Sequence, residues 1–259
     1  MSVQVAILAS GSTGNCALIA TEMTKLLIDA GLPRKTTEKA LARIGIDATE
    51  ITGIAVSHAH SDHCGGLVGL LGSYQMPVYM TAGTAHLLSD ALRRTQAKPT
   101  ICRANDEIVQ IGDLSIYPVS VPHDCAEPVG FVVLAEGRRY GFVTDVGTMT
   151  DAMCEVFRDV DFLFLEANHD HDALMAGPYP LKLKGRVLEN HLSNDQVGEF
   201  IESRLDGSVQ DLVCGHISER NNDPYLVYAM AKRALARSGR TATRLTVVPP
   251  NSSSQVFVF

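Results

Sequence analysis

Apolar residues along this chain fall into short blocks of two periodicities. Blocks such as Val3-Gln4-Val5-Ala6-Ile7-Leu8-Ala9 and Asp161-Phe162-Leu163-Phe164-Leu165-Glu166 are near-continuous, brief, and rich in branched or aromatic side chains. They predict buried strands. Residues 3–9, 17–22, 25–29, 54–56 and 77–80 read this way, and again residues 107–111, 114–121, 129–134, 140–144, 161–166, 211–215, 244–248 and 255–259. Glu136-Gly137-Arg138 predicts a hairpin turn. Helices are predicted after Pro33 to about residue 44, over 63–73, over 84–95 ending in Arg93-Arg94, and over 151–157. Another is capped by Ser193 or Asn194 and buries Val197, Phe200, Ile201 and Leu205, and a last one runs from Asp223-Pro224 to Gly239. Strands then helices, twice over, predict two similar α/β halves without a sequence repeat. Two sheets face to face with helices outside, a four-layer αββα sandwich of the α/β (α+β) class, satisfy every apolar face. Residues 1–259 are expected to form a single domain.

Composition narrows the setting. The 259 residues are 46% hydrophobic, yet no eighteen consecutive positions are apolar, so no membrane span is expected. The apolar start lacks a basic flank and runs into Gly11-Ser12-Thr13-Gly14, so it reads as a strand and not as a secretory signal. Six scattered cysteines without a Cys-x-x-Cys pair fit free thiols in a reducing cytoplasm. The net charge of −7 argues mildly against non-specific nucleic-acid binding. Two bound divalent ions would change it to −7 + 4 = −3 and put the positive charge where chemistry happens.

The candidate chemistry centres on Ser57-His58-Ala59-His60-Ser61-Asp62-His63, followed by Cys64-Gly65-Gly66. Three histidines and a carboxylate in six positions form a dense ligand set at a strand-to-helix loop. His58 and His60, two apart, point the same way on extended chain, while Asp62 and His63 follow a turn and face a second ion. His123, Asp145 and His216 each lie just after a predicted strand. Any of them alone reads as a loop residue; together, with the cluster upstream, they read as ligands. Asp29 is a candidate to orient a ligand histidine. The loop Ser10-Gly11-Ser12-Thr13-Gly14-Asn15-Cys16 is either a plain turn or a source of N–H groups, with Ser12 and Asn15 as candidate substrate contacts.

His-x-His-x-Asp-His, an isolated His, an Asp after a strand and a distal His resemble the metallo-β-lactamase-fold hydrolases. Glu166-Ala167-Asn168-His169-Asp170, Tyr179-Pro180-Leu181-Lys182-Leu183-Lys184-Gly185-Arg186, Asn190-His191-Leu192-Ser193-Asn194 and His216-Ile217-Ser218, with the loop at residues 10–16, are similar to the bacterial YycJ-like (WalJ-like) branch. That resemblance implies the metallo-β-lactamase fold and nuclease activity on DNA, exonuclease-like. It implies that His58, His60 and His123 hold one ion, that Asp62, His63 and His216 hold another, and that Asp145 bridges them. Such a pair shares a hydroxide and clamps the attacking and leaving oxygens. Zinc, manganese and iron all suit mixed nitrogen and oxygen ligands, zinc being the first expectation.

His191 is expected either to donate the proton that a leaving alkoxide needs and touch phosphate, or to play a capping role. Glu166 is expected to orient His191 or a ligand, or to give plain support, and Asp62, His191 and Glu166 are the candidate catalytic residues. His169 has no assigned role, and His86 and His171 read as surface or packed residues. The alternating Lys182, Lys184 and Arg186 read as an exposed loop, either solvated or meeting a nucleic-acid backbone, and Arg220 does likewise. The competing function is a small-molecule ester or thioester hydrolase of the glyoxalase II type. No stretch reads as the separate C-terminal helical domain such enzymes use, and no ligand is missing, which argues against a metal-bound scaffold.

Overall fold

The computed structural model describes residues 2–259. A first sheet contains β1 (Gln4–Ala9), β2 (Cys16–Ala20) and β3 (Lys25–Ile28), joined through α1 (Arg34–Arg43) to β4 (Gly53–Ala55). After α2 (Ser61–Cys64) and α3 (Leu67–Tyr74) come β5 (Val78–Met80), α4 (Ala82–Leu87), α5 (Ser89–Thr95) and β6 (Thr100–Ile101). A second sheet begins with β7 (Val109–Ile111), β8 (Leu114–Ser120), β9 (Val129–Ala135) and β10 (Arg138–Val143), followed by α6 (Asp151–Phe157) and β11 (Phe162–Glu166). Helices α7 (His171–Ala176), α8 (Leu181–Asn190) and α9 (Asn194–Ser203) lead to β12 (Asp211–Gly215), α10 (Pro224–Arg237), β13 (Arg244–Val247) and β14 (Phe257–Val258).

The two seven-stranded sheets have the orders β14-β1-β2-β3-β4-β5-β6 and β13-β12-β11-β10-β9-β8-β7. Each opens with antiparallel hairpins and continues in parallel, through β3-β4-β5-β6 in one and β10-β11-β12-β13 in the other. The expected pair of similar halves is therefore present in the strand order. The C-terminal strand returns to the first sheet, with Gln4 opposite Val258.

Three apolar clusters define four layers. Val5, Ile7, Ile19, Leu26, Phe131, Phe142, Phe164 and Val213 interlock between the sheets. Leu41, Leu67, Leu70 and Leu71 cover the outer face of the first sheet, and Phe157, Val197, Phe200, Ile201 and Val227 cover that of the second. The strands β11 and β12 are buried at every position, which is why their interiors, residues 162–165 and 212–214, are apolar without alternation, with an acid only at one end of each. Among the described residues no helix is long and apolar enough to cross a membrane.

The structure corrects some element boundaries. The helix expected over residues 63–73 is split, with α2 ending before Gly65-Gly66 and α3 starting after them. The helix expected over 84–95 is also two pieces, because Leu88 leaves helical geometry at φ −93° and ψ 11°. The stretch at Lys182–Arg186, expected as a loop, lies within α8, which starts after Pro180. Parallel pairing sends the C-terminal ends of β3 and β4 to one edge of their sheet, and those of β10, β11 and β12 to one edge of the other. Ligands collect at such edges in α/β folds.

Candidate metal centre

Side chains reach this edge because the backbone turns sharply as each strand ends. Asp29, Asp145 and His216 follow β3, β10 and β12 at φ 64°, 58° and 52°. Asp and His tolerate this left-handed region better than branched residues do, and the reversal turns each chain end across the sheet edge. The loop after β3 lies directly against the His-rich loop: Asn15 N donates to Asp62 O at 2.7 Å and Ala30 N to His63 O at 2.8 Å. A Cβ on Gly31 would lie 1.7 Å from Asp62 O, so only glycine permits this approach. Gly66 is equally constrained, with Leu32 O 1.8 Å from a Cβ position.

Two groups of ligand atoms converge here. In the first, His60 Nδ1 lies 3.1 Å from His58 Nε2 and 3.2 Å from His123 Nε2. In the second, His63 Nε2 is 3.6 Å from Asp62 Oδ2, and His216 Nε2 is 3.9 Å from the same oxygen. Ligand atoms held 2.0–2.1 Å from a tetrahedral ion are roughly 3.3 Å apart, close to these separations. Asp145 stands between the groups. Its Oδ1 is 3.6 Å from His123 Nε2, while its Oδ2 is 2.8 Å from His63 Nε2 and 3.6 Å from His216 Nε2.

The ring nitrogens that face away from the cluster are held by acceptors, which fixes where the lone pairs lie. His63 Nδ1 donates to Asp29 Oδ2 at 2.8 Å, and His216 Nδ1 to Glu166 Oε2 at 2.6 Å. His123 Nδ1 donates to Asn190 O at 3.0 Å. Ser57 Oγ donates to Asp29 Oδ2 at 2.9 Å and so accepts from His58 Nδ1 at 3.0 Å. Each arrangement leaves Nε2 as the ligand atom, the usual way a protein orients a metal-binding imidazole.

Electrostatics separates the two groups. Burial, helped by His63, pushes His58 down to about 2, and burial also lowers His123, so these rings are neutral. Burial opposes charge on His216, but Asp145, Asp62 and Glu166 outweigh it and raise the ring to about 10. His63 is likewise raised well above its usual range by Asp145 and Asp29, against burial. Asp145 is fully buried, yet His216 and His63 hold its carboxyl well below the usual range. Buried His216 Nε2 nevertheless lacks a hydrogen-bond partner among the described residues, and Asp145 Oδ2 has only ion-pair contacts, to His63 and His216, and no hydrogen bond. Unpaired buried donors and acceptors call for an explanation, and a cation between them supplies one. The donor set, its spacing and these orphaned atoms fit a divalent-metal site.

Other expected residues are distributed unevenly around it. Glu166 is wholly buried: Oε2 accepts from Asp145 N at 3.0 Å and His191 Nδ1 at 3.0 Å, while Oε1 accepts from Leu192 N at 2.7 Å. Glu166 thus braces His191 and the Asp145 turn, and its carboxylate lies close enough to Asp145, His191 and His216 to make a third ligand-capable group with them. His191 is a fifth exposed, with its ring centroid 5.4 Å from that of His123 and 5.5 Å from that of His216. Asn15 is buried; its Oδ1 accepts from Gly11 N and its Nδ2 donates to Asp62 Oδ2 at 3.3 Å, which braces the ligand loop. Ser12 and Arg220 are exposed on loops.

The basic run needs a correction. On α8, Lys182 and Arg186 are four apart and share a face, whereas Lys184 is two residues away from each and lies on another. Lys184 is buried and its Nζ donates to Met175 O at 2.5 Å, so it is unavailable to a substrate. Sequence reasoning missed Asp124, beside His123, which pairs with Arg186. It also missed Asn168, whose Nδ2 donates to His216 O at 3.0 Å while its backbone N donates to Leu192 O. Only the clustering of acids and amides next to ligand positions hinted at either.

Fold and site together define a metal-dependent hydrolase of the metallo-β-lactamase fold. The chain belongs to the β-lactamase superfamily, whose description as a Beta-lactamase superfamily domain matches residues 24–216. Exodeoxyribonuclease YycJ of Bacillus anthracis is 30% identical over 241 residues, covering 92% of this chain and 91% of that protein. Exodeoxyribonuclease WalJ of Streptococcus pneumoniae serotype 2 is 30% identical over 236 residues, covering 90% and 88%. The crystal structure of YhfI, a metallo-β-lactamase fold protein from Bacillus subtilis, superposes with a TM-score of 0.75 at 13% identity, covering 100% of this chain and 99% of that one.

Proposed function

We propose that this chain is a phosphodiesterase that degrades DNA from an end, using two divalent ions, with zinc the first expectation. The observation that carries the reading is the split of the Asp145 carboxylate, one oxygen toward His123 and the other toward His63 and His216. His58, His60 and His123 would hold one ion; Asp62, His63 and His216 the other; Asp145 would serve both. Bound there, the ions supply Lewis acidity and an activated water for attack on phosphorus.

The chain's own residues do the rest. Glu166 accepts a hydrogen bond from His191 Nδ1, which leaves Nε2 as the atom free to meet a leaving oxygen. Burial works against charge on His191, but Glu166 and Asp145 outweigh it and raise the ring above its ordinary value, which favours the protonated form a general acid needs. A departing deoxyribose alkoxide is a strong base, and a protonated imidazole beside it is a suitable general acid. Glu166 acts as a positioning residue for both His191 and His216. The exodeoxyribonuclease relatives support DNA as the substrate class.

The test is a substrate panel on metal-loaded protein: end-labelled single- and double-stranded DNA, RNA, a nitrophenyl phosphodiester and a glutathione thioester. The reading expects stepwise shortening of labelled DNA. Cleavage of the thioester alone would replace it with the glyoxalase II type of hydrolysis.

A further inference from the structure

At the mouth of the metal centre, Asp124 stands between a ligand histidine and an arginine. Its Oδ1 lies 3.4 Å from His123 Nε2 and 3.8 Å from His60 Nε2, while its Oδ2 accepts from Arg186 Nε at 2.6 Å. Arg186 lies five residues before His191, near the end of α8 that abuts the centre, since Asn190 O accepts from His123. Its side chain is about half exposed.

The pairing atom is the informative detail. A guanidinium has five N–H donors in a rigid planar fork. Asp124 takes the single Nε donor, and among the described residues no other side chain pairs with Arg186. The terminal Nη1 and Nη2 donors stay free, with the plane fixed by a carboxylate anchored beside the ligands. Two parallel N–H donors match two oxygens of a phosphate. The charge of Arg186 is supported first by its bond to Asp124 and then, at longer range, by Asp62 and Asp145, as expected for a cation held over the centre. An exposed ion pair contributes little stability on its own, so stability gives a weak reason for this geometry.

We propose that Asp124 is a positioning residue that sets Arg186 as a two-pronged clamp for the substrate phosphate at the mouth of the metal centre. The proposal deepens the nuclease reading and rests on it. Arg186 touches the phosphate; Asp124 acts through Arg186. Lys184 has no part in the clamp, because it is buried on another face of α8.

The experiment compares wild type, Asp124→Ala, Asp124→Asn, Arg186→Lys, Arg186→Ala and Asp124→Ala/Arg186→Ala. It reads metal content, kcat and KM on single-stranded DNA, and fluorescence anisotropy of a labelled phosphorothioate oligodeoxynucleotide that resists cleavage. Arg186→Ala and Asp124→Ala are each expected to weaken binding and raise KM by about tenfold, the scale of a hydrogen bond to a charged group. Metal content stays at the wild-type level. The double variant is no weaker than Arg186→Ala, because the two residues act as one unit. Asp124→Asn, which keeps an acceptor for Nε, recovers part of the loss, and Arg186→Lys does not, because it has no fork. Removing Arg186 also lowers the salt dependence of binding by about 0.7 in the log–log slope, one phosphate contact on a single strand. Loss of metal in Asp124→Ala, or additive effects in the double variant, overturns the clamp. A wild type that binds and cleaves DNA with Asp124→Ala unchanged overturns the clamp alone. A wild type that neither binds nor cleaves DNA overturns the nuclease reading and the clamp with it.

Discussion

Asp29 Oδ2 and His63 Nδ1 lie 2.8 Å apart across the meeting of two strand ends, both side chains buried. The contact aims His63 Nε2 at Asp145 and ties the loop after β3 to the metal centre. Asp29→Asn keeps the shape and tolerates the left-handed backbone, but loses the charge that makes His63 a strong ligand. The variant is expected to fold and to bind metal about 10–100-fold more weakly, the usual effect of removing such an acceptor. Competition with a chromophoric chelator measures this; wild-type affinity in Asp29→Asn would mean that the carboxylate does not tune the ligand.

Protons and metal compete for the second ligand group. In the metal-free chain His216 is raised to about 10 and His63 is also raised, against an ordinary value of 6.5. An ion needs both Nε2 atoms unprotonated, so binding near neutral pH releases protons and strengthens as pH rises toward 10. The sign for stability is opposite in the metal-free chain. A raised histidine stabilises fully below about 6.5, and that contribution is lost as pH rises through about 10. The gap in Tm between loaded and metal-free protein is therefore expected to widen from pH 6.5 upward. Titration calorimetry in buffers of different ionisation enthalpy checks the proton release, and a Tm gap that is flat or narrows with pH speaks against the assignment.

His191→Ala removes a proton donor and leaves every proposed ligand in place. DNA cleavage is expected to fall by about 10²–10⁴-fold, the range for general acid catalysis, with metal content unchanged. A nitrophenyl phosphodiester, whose leaving group needs no proton, should lose far less. Equal losses on both substrates would assign His191 to binding or to fold support instead.

How much of this was legible before the structure depended on how far each residue's role was local. The ligand set could be read because each member follows an apolar block, and a block that short ends at a sheet edge. The sandwich could be read because β11 and β12, apart from Glu166 at the end of one and Asp211 at the start of the other, are runs without polar alternation, as doubly covered strands are. Helices α7 and α8 were hidden by Gly177, Pro178, Pro180 and Gly185, which read as loop. Pro180 in fact starts α8, and that helix turns an apparent row of three cations into two exposed residues and one buried one. Glu166 could be read only as an acid that orients His191 or a ligand, or gives plain support, and tertiary packing is what shows it sealed under both His191 and His216. Asp124 was invisible because its partner lies 62 residues away.

The central claim is that one buried carboxylate serves two ions, and metal stoichiometry tests it most directly. Elemental analysis of purified, metal-saturated protein should find two divalent ions per wild-type chain, with at least one lost in Asp145→Ala. Two ions retained in Asp145→Ala, or fewer than two in the wild type, would contradict the account.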